Sequence, residues 1–359
     1  MTSRSTAGLG AGFIIVCGLA LAAAQDKTLS LRLGPVVEIG RADQSFGSIA
    51  SVCEDDELNI YVLDRKEFKV SKFSPQGKRL LAFGQKGQGP GDFQAPAGVV
   101  FTPQKELAVI EDISYVSYFR KDGTFLRRLD LNGRLGLGYI GPDRFYGWIW
   151  RPEDKQQVMV DGKNIILTAF HAVERNSFST TLPDETGRRV MFNYSHEVYT
   201  PMLLFGSSGN LAALGISDRY EITVLDGNGG VAAVIRRPVQ ALKIGRKERD
   251  RFEREVAGFV RSKGWPDSVR QAFVKKIPPA KNLIVELRTS PDRIFVFRHA
   301  GEVDVFDRGG GFLGTARLDA VPICVSAASM YFDRTDESGN VYLERREYTL
   351  RTGAGAPAP

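Results

Sequence analysis

The chain has 359 residues, 43% of them hydrophobic, and a formal net charge of +6 at pH 7. That length and apolar content provide for one large core or two ordinary ones and exclude a chain disordered from end to end. Three histidines and three cysteines leave few candidates for catalysis or metal binding.

Residues 1–24 read as a signal peptide: one charge at Arg4, an apolar run from Leu9 to Ala24, then Gln25-Asp26-Lys27. Ala22-Ala23-Ala24 supplies the small-residue cleavage site. The run is shorter than the roughly 20 apolar residues that span a bilayer. Cys17 follows Val16 and precedes an apolar stretch, which does not suit a lipoprotein signal. Cleavage after Ala24 leaves a net charge of +5 and two cysteines, Cys53 and Cys324. Export to the periplasm or the outside is expected, and there an even pair of cysteines is a candidate disulfide.

Beyond the signal, LSLRLGPVVEIG (Leu29 to Gly40) reads as a strand with no neighbour to pair with. Asn59 to Gly84 then reads as three short strands with two turns, and Glu106 to Leu129 repeats it. Asp64 maps to Asp112 across 48 residues, and Phe73 and Gly77 map to Phe119 and Gly123 across 46. An apolar strand end followed four residues later by glycine recurs at Leu225/Gly229 and Phe306/Gly310. Glycine suits a tight hairpin because it accepts positive φ. Between the first two units lies FGQKGQGPGDFQAP (Phe83 to Pro96). A phosphate-binding glycine loop feeds a helix N-terminus, whereas this one runs into another strand, so it reads as a linker.

The strands IYVL, LAVI and RIFVF are apolar on consecutive residues, as in sheets covered on both faces. Units of about 46 residues with four strands each describe a β-propeller. Six blades are expected, near Ser48–Gly84, Phe93–Leu131, Leu135 to about Glu197, Tyr199–Arg236, Asn282–Leu318 and Val321–Leu350. The last has only three plausible strands, so Leu29 to Gly40 is expected to close the ring as its fourth. The propeller would then fill 25–350, with 351–359 a disordered tail. NIYVLDR, VSKFSPQGKRLLAFGQKGQGPGDFQAP and YFRKDGTFL resemble the NHL-type six-bladed β-propellers, particularly those of the exported bacterial branch. The resemblance implies an axial pocket of the kind that lyases and lactonases of this group use.

Residues 243–277 interrupt the repeat. Phe252, Val256, Phe259 and Val260 follow helical spacing, Gly264 can stop that helix, and Trp265-Pro266-Asp267-Ser268 can start a second through Val269, Phe273 and Ile277. The segment carries eleven bases against five acids. A lid, an arm for a partner, a membrane-surface contact and a packed decoration are all open readings. Export argues against a physiological nucleic-acid partner.

Chemistry is sparse. His171, His196 and His299 are the only histidines, none at i, i+4 spacing on a helix, and neither a GxSxG elbow nor a CxxC motif is present. Asp64, Asp112, Asp218 and Asp333 each follow an apolar run, where a carboxylate can accept backbone hydrogen bonds. Aligned on these strand ends, Arg65, Arg219 and Arg334 fall at one position, with Arg151 and Arg298 within a residue of it. With Trp148, Trp150 and His299 they would make a cationic entrance for an anionic small molecule or glycan, bound by forked hydrogen bonds; local pairing with neighbouring acids is the competing reading. Cys53 and Cys324 fall on the first strands of blades that become neighbours once the ring closes. The expected function is ligand capture by an exported binding module, with no resident cofactor. The alternatives are a lyase or lactonase-like hydrolase holding calcium or zinc in the axial funnel, and a protein-docking scaffold.

Overall fold

The computed structural model describes residues 27–352, apart from 42–44, 113–114, 132–134, 142–143, 151–153, 162–165, 175–177, 184–185 and 195–197. The signal segment 1–24 and residues 353–359 therefore lie outside the described residues. The repeated strands pair into six antiparallel four-stranded sheets, the blades of a propeller, at 49–83, 96–130, 135–174, 203–236, 286–317, and 324–352 joined by Leu29–Ile39. The first strand of each blade lies innermost, and the six inner strands touch in a closed ring.

Closure follows the expected route. Leu29–Ile39 forms the outer strand of blade six and pairs antiparallel with Val341–Thr352, from Leu29 opposite Thr352 to Ile39 opposite Leu343. This joins the two ends of the chain through backbone hydrogen bonds that would otherwise leave an open edge. The last strand runs to Thr352, two residues past the expected end at 350.

Sheets buried on both faces explain the consecutive apolar runs. In Ile60–Asp64 every residue is buried. Ile60 and Val62 pack with Tyr331 and Leu343 of blade six, while Tyr61 and Leu63 pack with Val99, Leu107 and Val109 of blade two. A core of this kind lies between each successive pair of blades. Between blades three and four, the core rests among the described residues on Tyr146, Met159, Ala212, Leu214 and Leu225, with the Tyr146 and Phe205 rings stacked 4.1 Å apart.

The repeat glycines do what the spacing implies. Gly77, Gly123, Gly229 and Gly310 have φ between 75° and 85°, and each follows a register shift at the third strand's apolar end. The Phe83–Pro96 loop is a linker: Gly84 and Gly91 also take positive φ, and Asp92 accepts the Gly89 N–H at 3.0 Å. A carboxylate holding that loop from within is the opposite of a phosphate cradle.

Blade three departs from expectation. Its sheet ends at Glu174, and Phe178–Pro183 pairs with Arg189–Tyr194 as a separate hairpin. The reason lies in the helical insertion. Helix α1 (Arg246–Ser262) and helix α2 (Asp267–Lys275) bury Phe252, Val256, Val260, Val269 and Phe273. These pack with Ile277, Phe192 and Tyr199, with Leu182, Val190 and Tyr194 alongside. Hairpin and helices, which leave the ring at different connections, thus share a core neither has alone. Gly264, with φ 66°, ends α1 and returns the Trp265 N–H to the Val260 carbonyl at 3.0 Å. Phe259 is only half-buried, its ring against Tyr194 and Trp265.

Candidate functional site

The second strand of each blade delivers its end to one face of the ring, which also carries the connections between blades. Asp64 holds that corner in blade one: its carboxylate accepts the backbone N–H groups of Gly47, Ser48, Lys66 and Glu67 at 2.6–3.1 Å. Its counterpart in blade two is Glu111, which takes the Gln94 and Ala95 N–H groups at 2.6 and 3.1 Å, and not Asp112. The expected 48-residue correspondence is therefore off by one. In blade four the Ser217 hydroxyl accepts the Met202 N–H at 2.8 Å, while Asp218 instead pairs with Arg219 at 3.2 Å. Asp333 is exposed.

This register redistributes the arginines. Ile49 opposite Asp64 and Glu286 opposite Phe297 make Arg65 and Arg298 equivalent, each the first residue after its strand. Arg219 stands three residues beyond the strand end at Ile216, and Arg334 lies within its strand, opposite Tyr342. Differences in turn length, invisible to spacing counted from apolar ends, are the cause. Arg65 is exposed. Arg334 pairs with Glu344 at 3.0 Å and lies over Phe332, as local pairing would have it. Arg151 lies outside the described residues. Trp148 and Trp150 end the second strand of blade three on this face. Of the four expected arginines among the described residues, only Arg65 and Arg298 share one position.

Arg298 instead belongs to a cluster that spacing alone missed. Asp304, fully buried on the third strand of blade five, accepts from the Tyr220 hydroxyl at 2.7 Å and the Thr315 hydroxyl at 2.6 Å. Arg298 donates Nη2 to its Oδ1 at 3.2 Å, with Nε 3.0 Å from Oδ2, and Arg237 Nη1 lies 2.9 Å from Oδ1. The Arg237 guanidinium rests 3.7 Å from the centre of the Phe312 ring, and Arg298 also meets Glu302 at 2.9 Å. Burial and the Asp304 charge together push the Tyr220 phenol well above its ordinary pKa, so it donates throughout the physiological range. The signal was present: EVDVFD puts an acid between valines, and Arg237 sits just before Pro238.

Arg237 and Arg298 reach a cleft of about 780 Å³ between the 237–240 connection, blade five and the N-terminal strand. Its other charged walls are Lys27, Arg317 and Glu302, four bases against one acid. Lys27 and Arg317 are exposed and have no ion pair among the described residues. Val239 separates this cleft from a second of about 660 Å³, where Arg219, Lys276 and Lys281 stand above Pro278, Pro279 and Leu283. Lys281 is held by Glu248 of α1 at 2.5 Å. His299 sits close by rather than in the first cleft: half-buried, with its pKa lowered by burial and by Lys281.

No group of three His, Cys, Asp or Glu side chains could hold a metal ion among the described residues. His171 lies on the outer strand of blade three, away from the axis, and His196 lies outside the described residues. Cys53 and Cys324 stand on the touching inner strands of blades one and six as free thiols. Burial raises both pKa values, that of Cys324 to about 12. The apolar stripe that would mark the helices as a docking arm is buried in the cap.

No protein-family profile matches the chain, and no curated protein matches it in sequence. Solved structures match over nearly the whole chain. An exported protein from Bacteroides fragilis aligns with a TM-score of 0.51 at 11% identity, covering 90% of this chain and 95% of that one. A member of the DUF4221 family from Bacteroides vulgatus aligns with 0.51 at 10% identity over 92% and 100%. Virginiamycin B lyase from Staphylococcus aureus gives 0.40 at 9% identity over 88% of each chain. At such identities the first two likenesses show the propeller fold alone.

Proposed function

We propose that this propeller is an exported binding module that captures a small anionic ligand in the cleft walled by Arg237, Arg298, Arg317 and Lys27. The observation that carries this reading is the charge of that cleft: four cationic side chains stand against Glu302 and the buried Asp304 behind them, a net of two positive charges around a volume of about 780 Å³, within the range of about 300–1,000 Å³ usual for small-molecule sites. Buried Asp304 holds two guanidiniums in fixed orientation, which lowers the ordering cost of a forked contact to a carboxylate or phosphate. Lys27 and Arg317 then supply mobile charge at the rim. The residues of the signal segment support export, and the hairpin glycines and strand closure support kinship with the NHL-type propellers of the exported bacterial branch.

Thermal shift and calorimetry with citrate, galacturonate and inorganic phosphate test it on the mature chain. Arg317→Glu and Lys27→Glu should each weaken the preferred anion by about tenfold, the scale of one charge-assisted contact, with Arg219→Glu unaffected. Equal binding by all four proteins would overturn the assignment of this cleft.

A further inference from the structure

The acids of helix α1 are largely committed to particular bases. Glu248 holds Lys281, Glu253 holds Arg249 and Glu255 holds Arg251. Besides Arg246 at the first turn, three exposed bases of α1 have no ion pair among the described residues: Lys247, Arg254 and Arg261. They are spaced by seven, so at about 100° and 1.5 Å per residue they stay within about 40° of one line and span about 21 Å. The helix cannot slide into a bilayer on its apolar side, because Phe252, Val256 and Val260 are buried in the cap. Midway between Arg254 and Arg261, Gly258 has no side chain, and a Cβ there would meet nothing within 4 Å.

We infer that this rail docks a linear, carboxylate-bearing polysaccharide along α1. The rail is longer than the screening length of about 8 Å at physiological salt, so a compact anion can engage only one of its charges and an extended polyanion is required to use all three. It is also one residue wide, with Asp250 and Glu253 on one side and Glu248 and Glu255 on the other. A planar anionic membrane would press against those carboxylates; a single polymer strand passes between them. The rail also lacks an aromatic platform for nucleic-acid bases, since Phe252 is buried and Phe259 packs on Tyr194 and Trp265.

The probes are size-defined oligogalacturonates, single-stranded DNA of equal total charge, and phosphatidylglycerol vesicles, each with the full mature chain. Affinity for oligogalacturonate should rise with length until the rail is spanned and fall with added salt. Lys247→Glu/Arg254→Glu/Arg261→Glu should weaken it by about tenfold or more. Gly258→Glu should do likewise, by setting a carboxylate mid-rail where space is open. Lys78→Glu, at an exposed turn of blade one, should leave it unchanged, and a loss in Arg317→Glu that the triple variant does not share would assign the binding to the cleft and overturn the proposal. Preference for vesicles or DNA, length-independent binding, or full affinity in the triple variant with a wild-type melting curve would each overturn the proposal.

Discussion

Asp304→Asn tests the cluster that organises the cleft. The substitution keeps shape and removes one charge, leaving Arg237 and Arg298, with side chains only 10% and 16% exposed, facing each other across a neutral amide. Breaking a buried pair by removing one partner costs about 3–5 kcal/mol. With an unfolding entropy near 2.1 cal/mol/K per residue over roughly 320 residues, that corresponds to a fall in Tm of about 4–7 °C. Differential scanning calorimetry reads it directly. The companion Arg237→Met relieves the repulsion, so the double variant should melt above Asp304→Asn alone, a coupling of about 0.5–3 kcal/mol. A Tm within about 1 °C of wild type for Asp304→Asn, or strict additivity in the cycle, would refute the view that this carboxylate holds both guanidiniums in place.

Phe273→Ala removes a fully buried ring from the cap and should cost about 3–5 kcal/mol locally. Hydrogen exchange should accelerate in α1, α2 and the 178–194 hairpin while blades one and two stay protected; uniform acceleration would mean the cap and ring unfold as one. His299 has a folded pKa below the unfolded 6.5, so the unfolded state takes up the proton first. The resulting stability is complete above about pH 6.5 and is lost as pH falls towards the lowered folded value. His299→Gln should flatten that slope in melts taken across the interval, and an unchanged slope would assign it elsewhere. Cys53 and Cys324, both raised in pKa, should resist iodoacetamide at pH 8 in the native, reduced protein and react promptly once denatured. Fast native labelling would show that the seam between blades one and six opens.

Most of the propeller was legible in the sequence, because its determinants are local or periodic. Consecutive apolar residues report sheets covered on both faces, and a glycine four residues past each apolar strand end reports a positive-φ hairpin wherever it occurs. The orphan strand Leu29–Ile39 and a last blade short of one strand implied each other by simple count. The helices were legible from the spacing of Phe252, Val256, Val260, Val269 and Phe273. What escaped depended on through-space partners or on one-residue differences in turn length. Glu111 takes over the work of Asp64 one position earlier than its aspartate neighbour, and turns of different length after the second strands move Arg219 and Arg334 off the position of Arg65. The 178–194 hairpin has the alternation of an ordinary blade strand pair, and only the core it shares with α1 and α2, more than fifty residues away, draws it out of the ring. Arg298 and Asp304 are six residues apart in blade five, but Arg237 and Tyr220 come from blade four and the connection after it, so the buried cluster exists only when the ring brings the two blades together. Periodic burial is written along the chain; charge convergence is a property of the closed ring.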